Sequence, residues 1–139
     1  MNEYMALESV DIIDVVRMGV PALAIDDLAR GMGVPSARLI TWMGWPVAAI
    51  ERKIRARSAL SKAAGGQVFL LIQLISQIQQ MVNESGNPDG FDAAAWLGNW
   101  LTELNPALGC VSPGEYMDTA AGFSLLSDTL ARMQSGAYV

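Results

Sequence analysis

The chain has 139 residues, about one domain's worth, enough for one apolar core without a metal or disulfide staple. With no histidine and a single cysteine, Cys110, it cannot build a Cys/His zinc site, a Ser-His-Asp triad or an internal disulfide, and most common enzyme chemistries fall away. Nine lysines and arginines against fourteen aspartates and glutamates give a net charge of −5, which as a total opposes nucleic-acid binding.

In chain order, Val10, Ile13, Val16 and Val20 follow helical spacing up to the stop Gly19-Val20-Pro21, and Leu23, Leu28 and Met32 suggest a second helix ending near Gly31 or Gly33. Ser36 is placed to cap a helix carrying Leu39, Ile40 and Met43. Gly44 breaks it, and Pro46 stands as the first residue of a run with Val47, Ile50 and Ile54. From Ala63 to Asn83 there is no charge. Val68, Leu71, Ile72, Ile75, Ile78, Gln79 and Val82 mark one helical face, broadened by Phe69, Leu70 and Leu74. Gln67, Gln73, Gln77, Gln79 and Gln80 are too many for a hydrocarbon-embedded helix, so the segment reads as a core or dimer-forming helix and no membrane span is expected.

Residues 83–90 concentrate turn formers and mark the best internal boundary. Beyond it Leu97, Trp100, Leu101 and Leu104 make a helical stripe widened by Trp96, which must end by Asn105-Pro106 because the residue before proline avoids helical geometry. Ser112-Pro113-Gly114-Glu115 has the composition of a capping box, and a last helix follows Thr119 with Phe123, Leu126, Leu130 and Met133 on one side and Gly136 to stop it. No strand alternation persists and no repeat appears, so the fold is expected to be all-α, a helical bundle. Its expected parts are a helix-turn-helix-like region over 1–62, a central core or dimerisation helix over 63–83 and a helical module over 84–139.

Two features point to binding rather than catalysis. Arg52, Lys53, Arg55, Arg57 and Lys62 cluster behind the helix pair that begins at Ser36, with Arg38 on its first helix. They suit DNA phosphates, although Pro46 to Ala49 offer no hydrogen bonds to base edges, and a solvated basic helix end is the plainer alternative. Beyond Lys62 only Arg132 stands against Glu84, Asp89, Asp92, Glu103, Glu115, Asp118 and Asp128, so the rear is acidic. Only 17% of residues are charged while 52% are hydrophobic, which leaves apolar surface for a partner. Of Trp42, Trp45, Trp96 and Trp100, each alone suits the core, but Trp96 and Trp100 are one helical turn apart and act together. Asp89 with Asp92, and Glu115 with Asp118, lack a third ligand, a nucleophile or a phosphate cradle. They read as caps and solvated charges, so no catalytic residue, metal or cofactor is expected.

The succession Trp96-Leu97, Leu104-Asn105-Pro106-Ala107-Leu108-Gly109, Ser112 to Thr119, Gly122, Leu130 and Gly136-Ala137-Tyr138 resembles the toxin-binding domain of the Xre/MbcA/ParS antitoxin family. The weaker helix-turn-helix in front, the Xre-like region, matches that family's order. The resemblance implies a non-catalytic antitoxin that covers the NAD pocket of a RES-domain toxin. Such a toxin consumes NAD by hydrolysis or phosphorolysis, or transfers its ADP-ribose to a target. The resemblance also implies repression of the antitoxin's own operon as a homodimer on operator DNA. Trp96, Trp100, Asn105, Pro106, Leu108, Gly109, Tyr138 and Val139 are the candidate toxin-binding residues, and Arg38, Arg52, Lys53, Arg55 and Arg57 the candidate DNA-binding ones. Tyr138 can fill a pocket and the carboxylate that ends the chain at Val139 can pair with an arginine. A DNA-binding regulator without a toxin partner is the alternative. With one thiol and no signal-peptide pattern, the expected compartment is the cytoplasm.

Overall fold

The computed structural model describes residues 13–14, 17–86 and 88–135. Among them run six bounded α-helices, α1 (Leu23–Met32), α2 (Ser36–Trp42), α3 (Val47–Arg55), α4 (Lys62–Ser85), α5 (Ala93–Thr102) and α6 (Ala120–Ser135). Two 3-10 turns, Pro106–Leu108 and Pro113–Tyr116, separate α5 from α6. The described residues hold no β-strand, only isolated bridges of Pro21 with Ala59 and Asn105 with Val111, so the fold is all-α. Val10, Val16, Gly136, Tyr138 and Val139 lie outside the described residues. Ile13 is helical but half exposed, and so does not face the core.

Helix α1 ends where Gly33 turns left-handed (φ 70°) and returns its N–H to the carbonyls of Ala29 and Arg30. The expected cap at the next helix does not form. Pro35 holds that place, so Ser36 is the first residue inside the helix, and its Oγ donates to Asp26 Oδ1 at 2.6 Å. Ser36 thereby ties α2 to α1. Gly44 (φ 79°) makes the turn to α3, and Pro46 is the residue before that helix rather than its first.

Helix α4 begins at a genuine cap, Ser61 Oγ accepting the Ala64 N–H at 3.2 Å. It buries Val68, Phe69, Leu71, Ile72, Leu74, Ile75 and Ile78. It packs along α5 and α6, while α1 packs on α2 and α3 on one side and on α5 on the other. One continuous core results, from Val20 to Leu130. The contact of α1 with α5 is backbone-close, since a Cβ added at Gly98 would strike the Met32 carbonyl. No helix among the described residues is long and apolar enough to cross a membrane.

Two further expectations at the rear are corrected. The α5 stripe buries Leu97 and Leu101 but does not reach Leu104: the helix stops at Thr102, Glu103 is extended (φ −84°, ψ 146°), and Leu104 turns out to 73% exposure. Ser112 forms no capping box: its side chain makes no cap hydrogen bond, and its carbonyl takes the Glu115 N–H at 3.1 Å, closing a 3-10 turn. Thr119 does cap α6, its Oγ1 accepting the Gly122 N–H at 3.0 Å. Phe123, Leu126 and Leu130 are buried beneath that helix.

Candidate functional site

The segment after α5 is built around one asparagine. Asn105 is 5% exposed, and its Oδ1 accepts the Ala107 N–H at 2.9 Å, capping the first 3-10 turn where Pro106 has no N–H to satisfy. Its carbonyl accepts the N–H groups of Leu108 and Cys110, each at 3.0 Å, and its own N–H donates to the Val111 carbonyl at 3.0 Å. The loop is thus closed on itself by backbone. Gly109 (φ 76°) and Cys110 (φ 62°) are both left-handed; for Cys110, which carries a Cβ, that geometry costs about 1–2 kcal/mol. Tyr116 Oη donates to the Leu108 carbonyl at 3.1 Å, and Leu108 itself is buried, so the loop is also pinned from below.

Packing behind the loop requires two more glycines. A Cβ at Gly114 would enter the Trp42 ring and one at Gly122 would strike the Tyr116 carbonyl, so the second 3-10 turn lies directly on α2 and α6. Gln67 of α4 closes the other side. It accepts the Trp45 indole N–H at 2.9 Å and donates to the carbonyls of Met43 at 3.0 Å and Met117 at 3.2 Å. One side chain therefore joins the α2–α3 turn to the segment after the loop.

On α5, Trp96 and Trp100 stack with ring centroids 6.0 Å apart and planes at 14°, each half-buried. Trp96 also walls an apolar cleft of about 350 Å³ with Met81, Phe91, Leu130 and Met133. Of the candidate toxin-binding residues, Trp96 and Trp100 therefore form one surface pair. Pro106 and Gly109 are exposed on the loop, while Asn105 and Leu108 are internal and shape it. Leu104, 73% exposed, and Val111, 38% exposed, were not among the candidate toxin-binding residues. Asn105-Pro106 marks only the latest point at which the helix can end, and α5 stops earlier, at Thr102.

The basic candidates divide. Arg52, Arg55 and Arg57 are exposed at the end of α3 and Lys53 is half-buried there, beside a cleft with Trp45, Pro46 and Gln67. Arg38 lines a different cleft on α2, facing Thr41, Ser112 and Glu115. The ion pair present among the described residues, Arg30 with Asp27 at 3.4 Å, involves none of them. Asp92 is a cap, accepting the Ala95 N–H at 3.1 Å. Among the described residues no group of three or more His, Cys, Asp or Glu could hold a metal ion.

Residues 89–136, which contain the tryptophan pair, the closed loop and α6, match the family described as the antitoxin Xre/MbcA/ParS C-terminal toxin-binding domain. Over 129 residues, 93% of this chain and 81% of the relative, the sequence is 36% identical to a Prs ADP-ribosylating antitoxin of Sphingobium sp. (strain YBL2). A likeness of that extent takes in the front helices as well as the rear module. The chain belongs to the Xre/MbcA/ParS family of antitoxins, proteins of toxin–antitoxin systems.

Proposed function

We propose that this antitoxin neutralises a RES-domain, NAD-consuming toxin by covering its NAD-binding pocket with the rear module, residues 84–139, and makes no bonds itself. The match of residues 89–136 to a toxin-binding domain carries the reading. The relative's name couples an antitoxin to ADP-ribosylation, a chemistry that consumes NAD, and this supports the class of partner. The charge pattern supports it too. A pocket for a dinucleotide diphosphate is cationic, and the rear module carries Arg132 against seven carboxylates from Glu84 onward, which favours rapid, oriented encounter.

In this reading Trp96, Trp100, Pro106 and Gly109 touch the toxin, Asn105 and Leu108 hold the loop that presents them, and Tyr138 and Val139 enter the pocket. NAD turnover by purified toxin, titrated with antitoxin, tests it. The intact chain is expected to abolish turnover near equimolar ratio, and deletion of residues 136–139 to restore it. Complete suppression by the truncated chain refutes entry of the tail.

A second activity, repression of its own operon as a homodimer, is favoured by Arg52, Arg55 and Arg57, which stand exposed with no ion pair among the described residues. Residues 1–62 would supply the DNA contact and 63–83 the core that holds it. Gel shifts on the promoter at graded salt test this activity. Substituting Arg52, Lys53 or Arg55 should reduce the salt slope by about 0.9 for each phosphate that is no longer neutralised. An unchanged slope removes the cluster from DNA binding.

A further inference from the structure

We propose that the cleft between α2 and the turn Pro113–Tyr116 receives a segment of the partner toxin. Arg38 and the Trp42 indole N–H hold a carboxylate of that segment, and Glu115 meets a basic side chain beside it. The inference rests on the functional reading above and adds to it a second contact surface, reaching onto the front helices, with the chemistry of its counterpart.

Trp42 points to an occupant. It is 7% exposed and walls this cleft of about 560 Å³ together with Arg38, Thr41, Ser112 and Glu115. Its indole N–H has no hydrogen-bond partner among the described residues, yet none of their fully buried side-chain nitrogens or oxygens lacks one. The N–H therefore opens to solvent, and the surface to which Trp42 contributes is the cleft. The ring is fixed there, because a Cβ on Gly114 would overlap its Nε1 edge, and that edge lies against the segment carrying Ser112 and Glu115. Arg38, Thr41 and Trp42 share one face of α2 at i, i+3 and i+4. The Thr41 hydroxyl is already given to the Ala37 carbonyl at 2.8 Å, but the Ser112 side chain makes no cap bond. Arg38 and Glu115 are exposed, and neither takes part in the ion pair present among the described residues, Arg30 with Asp27. The cleft thus offers a guanidinium, an indole N–H and a hydroxyl as donors, with one carboxylate across from them. A frame fixed before binding loses little conformational freedom on binding.

Charge identifies the class of occupant. The charged side chains lining the cleft are Arg38 and Glu115, one of each sign. A nucleic-acid phosphate drawn to Arg38 would be repelled by Glu115, and the cluster of Arg52, Lys53, Arg55 and Arg57 stands apart, at the end of α3, where Lys53 lines another cleft. A polypeptide with an acidic and a basic side chain close together satisfies both walls. Its carboxylate accepts charge-assisted bonds from the guanidinium and the indole N–H, and its lysine or arginine pairs with Glu115. The wall from Ser112 to Glu115 lies within residues 89–136, the toxin-binding domain, which makes the toxin the source of that segment.

The test is affinity of the full chain for its RES-domain toxin, with Arg38→Gln and Glu115→Gln measured singly and Arg30→Gln as an exposed control. Each cleft variant is expected to raise Kd roughly tenfold, mainly through faster dissociation, and the control to change it by less than about twofold. Melting temperature should be unchanged, since both cleft side chains are already in solvent. In nitrogen-edited NMR spectra the Trp42 indole resonance, assigned through Trp42→Phe, should move when toxin binds the wild-type chain and move less in Arg38→Gln. Affinities of both cleft variants within about twofold of wild type overturn the proposal, and so does an indole resonance that stays in place. It is also overturned if Arg38→Gln holds toxin normally but binds promoter DNA with a shallower salt dependence, the mark of a lost phosphate contact. If the wild-type chain binds no RES-domain toxin, the functional reading fails and the cleft's role with it. A toxin bound equally by wild type and variants sinks the cleft alone.

Discussion

Replacing Gly98 by alanine sets two opposed effects against each other. In a helix interior alanine is favoured over glycine by about 1 kcal/mol. At Gly98, however, the added Cβ would run into the Met32 carbonyl and lie 3.0 Å from the Met32 Cβ, where α1 crosses α5. Backbone cannot swing aside as a side-chain tip can. Overpacking of this kind costs about 3 kcal/mol or more, so the net change is a loss of about 2 kcal/mol. Gly66, inside α4 with nothing within 4 Å of its added Cβ, isolates the propensity term, and Gly66→Ala should gain about 0.5–1 kcal/mol. At about 3 °C per kcal/mol for a chain of this size, the two variants should melt roughly 7–9 °C apart, on opposite sides of wild type. Thermal and urea unfolding followed by far-UV circular dichroism measures this. Gly98→Ala melting at or above Gly66→Ala refutes the close crossing of α1 and α5, and with it the mounting of α5 on the front helices.

Asn105→Ala removes a cap and leaves the Ala107 N–H without its acceptor, a loss of about 2 kcal/mol. Asn105→Asp, which keeps the Oδ1 acceptor, should recover part of that stability in urea titrations. Gln67→Ala breaks the bonds to Trp45, Met43 and Met117 together, which should cost about 2 kcal/mol and shift tryptophan fluorescence as the Trp45 indole loses its partner. Glu84 accepts hydrogen bonds from Gln80 at 3.0 Å and Gln134 at 3.2 Å, chiefly the first, and these hold its carboxyl below the ordinary glutamate value. A lowered pKa means that this support of the α4–α6 end is present above about pH 4.3 and lost as pH falls through the folded value. Glu84→Gln should flatten the acid limb of the stability profile, and an unchanged limb contradicts the coupling.

Long-period patterns were legible in the sequence. The uncharged run from Ala63 to Asn83 read as a core or dimer-forming helix with more than one apolar side, and α4 is a helix packed along α5 and α6. What escaped were competitions settled by tertiary neighbours. Ser36 has the composition of a cap, but Pro35 takes that place and the Ser36 hydroxyl donates to Asp26 on the preceding helix. Leu104 continues a helical stripe on paper, yet the helix ends at Thr102 and the side chain is released. Gly98, Gly114 and Gly122 look like helix breakers or punctuation until the chain elements they allow to touch are known. Gln67 is one of five similar glutamines, and only the fold selects it as the joint between the α2–α3 turn and Met117. Within the site, the loop at 105–109 was recognisable, but sequence could not separate Asn105 and Leu108, which face inward, from Pro106 and Gly109, which face out.

The most direct measurement is NAD binding by the toxin in its complex with this antitoxin, followed by titration with a fluorescent NAD analogue. Occlusion predicts that saturating antitoxin eliminates analogue binding, and that excess NAD shifts the antitoxin's apparent Kd upward in proportion, as competition for one cavity requires. Analogue bound by the complex as tightly as by the free toxin would contradict occlusion, whatever the antitoxin does to turnover.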